Sequence, residues 1–500
     1  MVRVCLINPG KTYYMKSSSV SIVDVGLPLG IMYIASFLEK KGHEVKIIDS
    51  LVMGDTSLEV VDDSRRRYGA PIDSIKLEVK KFKPDVIGVS NLFSSQIIDT
   101  IQTTQFLRDL DSDIPIVVGG PHVSVKGVEF IEENKQVDFA LLGEAEKSFS
   151  DLLDHFAGKK NIGDIEGVVY RRKGKVIENK KLSFIKNLDD LPFPAYHLVE
   201  MEKYLSLFKK GIYSRSIAEE RSISMITSRG CPYNCVFCSI HLHMGRVWRP
   251  HSAKYVIDHI KHVVDKYNIK HIHFEDDNFT LDLKRCGDIL DGIMGNNIKI
   301  KWDTPNGIRA DRFNEEIAIK IKRSGCLKLT MGVESGDQSV IDNIIQKNLK
   351  LENVIKMAKI CKKFKIPLSA FYVIGFPGEK KENIEKTIKF ALMLQRKYGV
   401  MQGGAFYATP LYGTRLYNLC KEQGYFAREV TPESLSEATA AYGESLIKTE
   451  DFDPEYLRKV NQKLIRANYL NYLYHPTEAI KFILKNPKIL FNVFNRFLGR

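Results

Sequence analysis

Five hundred residues exceed what one hydrophobic core usually serves, so this length, with 44% hydrophobic residues, implies two or three globular domains and excludes a disordered or fibrous chain. Eight cysteines are too sparse for a disulfide scaffold, and five of them (Cys5, Cys286, Cys326, Cys361, Cys420) are scattered singly; the expected home is a reducing cytoplasm. The net charge of +13 invites a nucleic-acid partner, but the excess gathers in 158–186, with nine basic against three acidic residues, and in 479–500, with five against none; neither carries a stacking platform, which disfavours nucleic acid.

The apolar run in "MVRVCLINP" is too short for a secretory core, and no segment reaches the roughly 18 apolar residues of a membrane span. From there short apolar strands alternate with helical patterns: "VRVCLINP", the helix "LGIMYIASFLEKKG", "EVKIIDS", "PDVIGVSNL", "PIVVGG", "FALLG" and the helix "EAEKSFSDLLDHFAG". This rhythm predicts an α/β fold with a doubly wound parallel sheet over residues 1–157. Its first loop, "NPGKTYYMK", carries neither G-x-G-x-x-G nor a P-loop, so dinucleotide and nucleotide readings are weak. A linker over 158–221 holds a small hairpin turning at Lys173-Gly174-Lys175, then the extended "NLDDLPFPAYHL".

Over 222–430 six βα-like units follow, at "SISMITSRG", "HIHFEDDNFT", "IKWDTPNGIRAD", "LKLTMGVESG", "LSAFYVIGFPGE" and "GGAFYATPLYGT". They predict a partial (β/α)6 barrel of TIM-like build, with polar and glycine-rich residues at the carboxyl rim, where ligands sit. Asp282 and Glu382 read as helix caps. Residues 431–500 lose the strand pattern and read as helical.

The loop "SRGCPYNCVFCSI" places Cys231, Cys235 and Cys238 together, and three readings compete. A structural zinc site would take His241 or His243 as its fourth ligand. Three unrelated core cysteines are the second reading, and an iron-sulfur cluster is the third, three thiolates leaving one iron open to a ligand that is not protein. Cys286, Cys326, Cys361 and Cys420 lack cluster spacing and read as small buried hydrophobes.

This loop, with Phe237 before its last cysteine and five strand-end signatures behind it, resembles the radical S-adenosylmethionine (SAM) superfamily. The resemblance implies a 4Fe-4S cluster on Cys231, Cys235 and Cys238, SAM on the open iron, and reductive cleavage to a 5'-deoxyadenosyl radical. It nominates Phe237 for SAM binding, Glu275, Asp276 and Asp277 for the methionine amino group, Glu334 and Ser335 for the ribose, and Gly375 and Pro377 for the adenosine side.

The leading domain resembles cobalamin-binding domains at three strand ends: Ser90 and Leu92 in Ser-x-Leu, Gly119 and Gly120 with His122 just beyond, and Gly143 and Glu144 before the last helix. Small residues there let the backbone approach a large planar corrin. The Asp-x-His-x-x-Gly motif that ligates cobalt is absent, so the lower ligand is not expected from that loop, and His122 is a candidate near the corrin. Together the two halves resemble the cobalamin-dependent (class B) radical SAM enzymes. That implies methyl transfer to an unactivated carbon of a small-molecule or lipid-like substrate, with an external electron donor such as flavodoxin or ferredoxin. Cyclisation or oxidation with the same cofactors is the alternative; methylthiotransferase-like modification of RNA or protein is less favoured, because the leading domain has only Cys5. The tail 479–500 is basic and amphipathic, divided by Pro487, and reads either as a peripheral contact with the inner membrane face or as a segment docked on its own barrel.

Overall fold

Alternation along the strand Arg3–Asn8 sets the build of the first domain: Val4 and Leu6 face one side, Cys5 and Ile7 the other, and all four are buried. A strand buried on both faces belongs at the centre of a sheet. It pairs in parallel with Glu44–Asp49 on one side and Val86–Ser90 on the other, and Ile116–Gly119 and Phe139–Leu141 continue the sheet outward. Helices Leu29–Lys40 and Glu146–Phe156 cover the Val4 face. Helices Ile72–Phe82, Ile97–Leu110 and Pro121–Glu133 cover the Cys5 face, which gives the doubly wound sheet predicted. This computed structural model describes residues 1–14, 25–207, 221–439 and 443–474.

The predicted hairpin forms, Val168–Arg172 against Lys175–Asn179, with Lys173 and Gly174 both at positive φ. It does not stand alone as a linker. Val168–Arg172 pairs antiparallel with Phe139–Leu141, so the first sheet has seven strands and runs past residue 157 to Asn179. An isolated hairpin is marginal in water, and this pairing buries Val168, Val169 and Tyr170. A small antiparallel sheet of Lys11–Tyr14, Arg65–Gly69 and Ser57–Val60 has no counterpart among the predicted elements.

The stretch after the hairpin joins the domains. Tyr196 is fully buried with its hydroxyl 3.0 Å from His259 Nε2, Phe193 stacks on His259, and Tyr204 donates to Asp49 of the first sheet. One continuous apolar core therefore contains Val4 and Leu6 as well as Phe274 and Trp302 of the second domain.

That second domain is built on six parallel strands in chain order, Ser222–Met225, His271–Phe274, Lys301–Asp303, Cys326–Glu334, Leu368–Ile374 and Phe406–Tyr407. Among the described residues no pairing closes the last strand on the first, so the barrel is open, as predicted. Ser252, Asp282, Asn314 and Thr414 cap the helices that follow, each accepting from a backbone N–H of the first turn. Glu382 lies in the first turn of Lys381–Tyr398. Beyond the barrel, helix Pro432–Thr439 rests on Ser94–Gln96 of the first domain, and Pro454–Tyr474 packs on Lys381–Tyr398. No helix among the described residues is long and apolar enough to cross a membrane, and the tail 479–500 lies outside them.

Candidate functional site

The first barrel strand leads into a two-residue antiparallel pair, Ser228–Arg229 with Arg249–Pro250, which brackets the thiol loop and the short helix Ile240–Met244. Gly230, at φ +83°, makes the turn into the loop; a Cβ there would stand 2.4 Å from the Val247 carbonyl oxygen. The loop is clamped from two other barrel units. Val236 N–H donates to the Ile345 carbonyl at 3.0 Å, Leu416 N–H donates to the Val236 carbonyl at 3.0 Å, and Arg415 donates to the Asn234 carbonyl.

Cys231, Cys235 and Cys238 are half-buried free thiols, and Asn278 Nδ2 donates to Cys231 Sγ at 3.0 Å. Burial raises the pKa of all three, that of Cys238 to about 12, while Lys347 opposes the shift at Cys235 and Arg309 at Cys231. Thiols in this state ionise when a metal supplies the charge. The three sulfurs do not close as a set to within 4.8 Å, and neither His241 nor His243 joins them. Zinc bonds of about 2.3 Å would hold sulfurs only about 3.8 Å apart. Three thiolates on one loop would leave one iron of a four-iron cluster for another ligand.

Around this loop the strand ends divide into two groups. Asp277 is half-buried beside Cys231 and Cys238, and burial, then the charge of Asp276, pushes its carboxyl up to about 7. Glu275 accepts from Ser224 Oγ at 3.1 Å. Glu334 sits at φ +66°, rare for a residue with a Cβ, and accepts from Lys347 Nζ at 2.6 Å. Gly375, at φ +88°, and Phe376 donate their N–H groups to Glu379 Oε2 at 2.8 Å, and the Phe376 ring lies 5.7 Å from that of Phe237. Pro377 is buried in the same turn. Glu379 is fully buried, its other oxygen has no hydrogen bond, and burial pushes its carboxyl up to about 7.

Two nominated residues turn inward. Asp276 is fully committed to Thr227 N–H, Thr227 Oγ1 and Ser228 Oγ, where it braces the turn into the thiol loop. Ser335 is fully buried, bonded to Thr387 Oγ1 at 3.0 Å and to Asp337 N–H at 3.1 Å. Asn278, Arg309 and Lys347 are the site residues that sequence reasoning missed. Asn278 stands in "HFEDDNFT" and Arg309 in "IKWDTPNGIRAD", but Arg309 and Lys347 reach the loop only through folding: Arg309 lies 3.6 Å over the Tyr233 ring, and Lys347 follows a π-helix at Val340–Ile345.

The rim of the first sheet holds the other nominated residues. Ser90 pairs with Gly119, and beyond them Leu92 is 49% and Phe93 39% exposed, an apolar surface at the strand ends. At Gly120, φ +129°, a Cβ would stand 1.8 Å from the Asn91 carbonyl oxygen, so this ridge stays bare of side chains. Asn91 is buried with Oδ1 lacking a hydrogen bond. Apolar faces, a bare glycine ridge and an orphaned amide oxygen suit a flat corrin with polar edges. His122 is buried against Tyr412, its Nδ1 3.0 Å from Ser94 Oγ, and burial then Lys126 lower its pKa to about 4, leaving it neutral. Gly143, at φ +66°, meets the barrel: its Cβ would stand 3.3 Å from the His243 carbonyl oxygen.

Glu144, nominated for cobalamin, is instead a bond between domains. Arg249 Nη1 lies 2.8 Å from its Oε1 and 2.9 Å from its Oε2, Arg229 Nη1 donates to Oε1 at 3.2 Å, and Ile185 N–H to Oε2 at 2.9 Å. Arg229 also holds Glu146 at 2.7 Å. A strand-end carboxylate with three donors already in place offers the corrin nothing, and its role is to tie the two rims together.

A thiol loop on an open barrel, tied to the rim of a doubly wound domain, is the architecture of a radical enzyme with a corrin partner. Residues 225–391 match the Radical SAM superfamily, and residues 19–153 match the B12 binding domain. Over 461 residues the chain is 31% identical to the uncharacterized methyltransferase PH0819 of Pyrococcus horikoshii, covering 92% of this chain and 91% of that one. Over 471 residues it is 30% identical to the cytidylyl-2-hydroxyethylphosphonate methyltransferase of Streptomyces wedmorensis, covering 88% and 85%. The fold is shared with the radical SAM methyltransferase TsrM of Kitasatospora setae, at a TM-score of 0.63 and 16% identity over 86% of this chain and 78% of that one. The chain belongs to the cobalamin-dependent radical SAM enzymes, which use a 4Fe-4S cluster, SAM and cobalamin.

Proposed function

We propose that this enzyme places a methyl group on an unactivated carbon of a small molecule held between the two rims. The observation that carries this reading is the Glu144 tie: one residue beyond Gly143 on the first rim, it is paired with Arg229, two residues ahead of Cys231 on the second. When bound, the cofactors supply an organic radical that removes hydrogen from carbon and a methyl group that replaces it. Cys231, Cys235 and Cys238 hold the cluster. Asp277 and Glu275 receive the SAM ammonium, Phe237, Glu334, Gly375 and Pro377 line its ribose and adenine side, and Leu92, Gly119, Gly120 and Gly143 form the bed for the corrin. Ser90 and His122 close that bed from behind. Each turnover consumes electrons that no side chain here supplies, so a flavodoxin- or ferredoxin-type donor is part of the proposal.

The test is anaerobic reconstitution with iron, sulfide and cobalamin, followed by assay of 5'-deoxyadenosine and S-adenosylhomocysteine. The first candidate substrate is cytidylyl-2-hydroxyethylphosphonate, which the Streptomyces relative's name carries. Both products should accumulate with a methylated substrate; deoxyadenosine without homocysteine across candidate substrates overturns methyl transfer. Asp277→Asn should weaken SAM binding about 10- to 100-fold, the worth of a charge-assisted hydrogen bond of about 1.5–3 kcal/mol, with iron content unchanged. Equal SAM affinity in equilibrium dialysis removes Asp277 from the site.

The basic amphipathic tail supports weak attachment to anionic membranes, which would suit a lipid-like substrate. Full-length protein should sediment with phosphatidylglycerol vesicles and a version ending at Glu478 should not. Equal sedimentation of the two ends that part of the proposal.

A further inference from the structure

Three donor side chains meet in the barrel away from the carboxyl rim. His271 opens the second strand, and His273, two residues on, shares its face; Asp303 of the third strand lies in register with His273. The opposite face belongs to Ile272, Phe274 and Trp302, and Trp302 reaches the helical layer by donating to Ser324 at 3.1 Å. The His–His–Asp face is therefore the lumen side of the sheet, with His271 toward the amino-terminal floor of the barrel.

All three residues are buried, at 3% exposure or less. Neither ring nitrogen of His271 makes a hydrogen bond; Nε2 lies 3.5 Å from Asp303 Oδ2. His273 Nδ1 is 2.8 Å from Asp303 Oδ1, and the two imidazole centroids are 4.2 Å apart with the rings tilted by 36°. One donor atom from each residue falls within 4.8 Å of the others. Leaving a buried polar group without a hydrogen bond costs about 1–3 kcal/mol, so His271, whose Nε2 has only the 3.5 Å contact with Asp303, is under-satisfied unless an ion joins its ring edge to that carboxylate. Lys328 is in register with Asp303, yet no ion pair among the described residues joins them.

We infer that His271, His273 and Asp303 bind one divalent transition ion, separate from the four-iron cluster. Two imidazoles and a carboxylate select an ion of zinc or iron(II) type over calcium or magnesium, which take oxygen ligands. Each histidine binds as a neutral imidazole that keeps its one N–H on the ring nitrogen facing away from the ion, and three protein donors leave a fourth position for water.

The test uses the reconstituted full-length enzyme, washed with chelator, supplied with zinc and examined by metal analysis and zinc-edge X-ray absorption. About one zinc ion per chain is expected, with a first shell of nitrogen and oxygen at about 2.0–2.1 Å and no sulfur at about 2.3 Å. His273→Gln and, as a second variant, His271→Gln should each lower zinc occupancy at least about tenfold, as loss of a ligand does, with cluster iron and circular dichroism unchanged. Less than about a tenth of an ion per chain, a sulfur shell, or full zinc retention in the folded variants overturns the site.

Discussion

Cys235→Ala should bring cluster iron from about four per chain to background and 5'-deoxyadenosine below detection, while cobalamin still binds. The argument rests on where the thiol sits. Cys235 is half-buried on a loop held from outside by Ile345, Leu416 and Arg415, so its backbone does not depend on the sulfur. Alanine there should cost about 1–2 kcal/mol, too little to unfold the barrel. Two remaining thiols cannot hold a cluster with one open iron, because both iron count and geometry need the third. The proposed corrin bed, around Leu92, Gly119 and Gly143, belongs to another chain segment with its own sheet. A variant that retains its iron and cleaves SAM would place the cluster elsewhere; one that loses cobalamin as well would show that the loop supports the whole interface.

Both sheets were legible because strand and helix periods alternate without ambiguity, and each strand in "VRVCLINP" or "HIHF" is short, apolar and bounded. The small sheet was not, because charged residues interrupt the apolar alternation in "SLEV" and "RRRYG", and the latter, besides pairing with "SLEV", pairs with Lys11–Tyr14, about 50 residues earlier in the chain. The hairpin's turn was visible, but its pairing with Phe139–Leu141 depends on an exposed sheet edge that periodicity does not reveal. At the site, the cysteine spacing drew attention to the loop but left zinc, chance and a cluster open, and only the strand-end signatures behind it pointed to the cluster. Glu144 was misread for a definite reason: a carboxylate after a strand-end glycine looks the same whether it meets a ligand or an arginine 85 or 105 residues away. His271, His273 and Asp303 show the same limit, since only strand register brings the third to the first two.

Glu144→Leu should destabilise the protein by about 3–5 kcal/mol and separate radical formation from methyl transfer, deoxyadenosine surviving better than methylated product. The side chains of Glu144, Arg229 and Arg249 are all under a tenth exposed, so the change leaves two buried guanidinium groups short of a counter-charge. Arg229 keeps Glu146, but Arg249 is left with the carbonyls of Ile185, Met244 and Val247. Arginine cannot shed its proton, so no pH relieves the variant. In the native protein burial raises the Glu144 pKa, and the charge of Arg229 with the hydrogen bond and charge of Arg249 more than reverse this, holding it below the usual carboxylate value. A depressed carboxylate contributes its full stability above its unfolded value of about 4.3 and loses it as pH falls through the folded one. The gap in thermal midpoint between native and variant protein should therefore be flat from about pH 8 to 5 and narrow only below about pH 4. A gap that already narrows between about pH 8 and 6 would mean that Glu144 is not the ionised centre of the tie. Glu144→Gln, which can still accept from Ile185, should fall between the two, because it restores the hydrogen bond but not the charge.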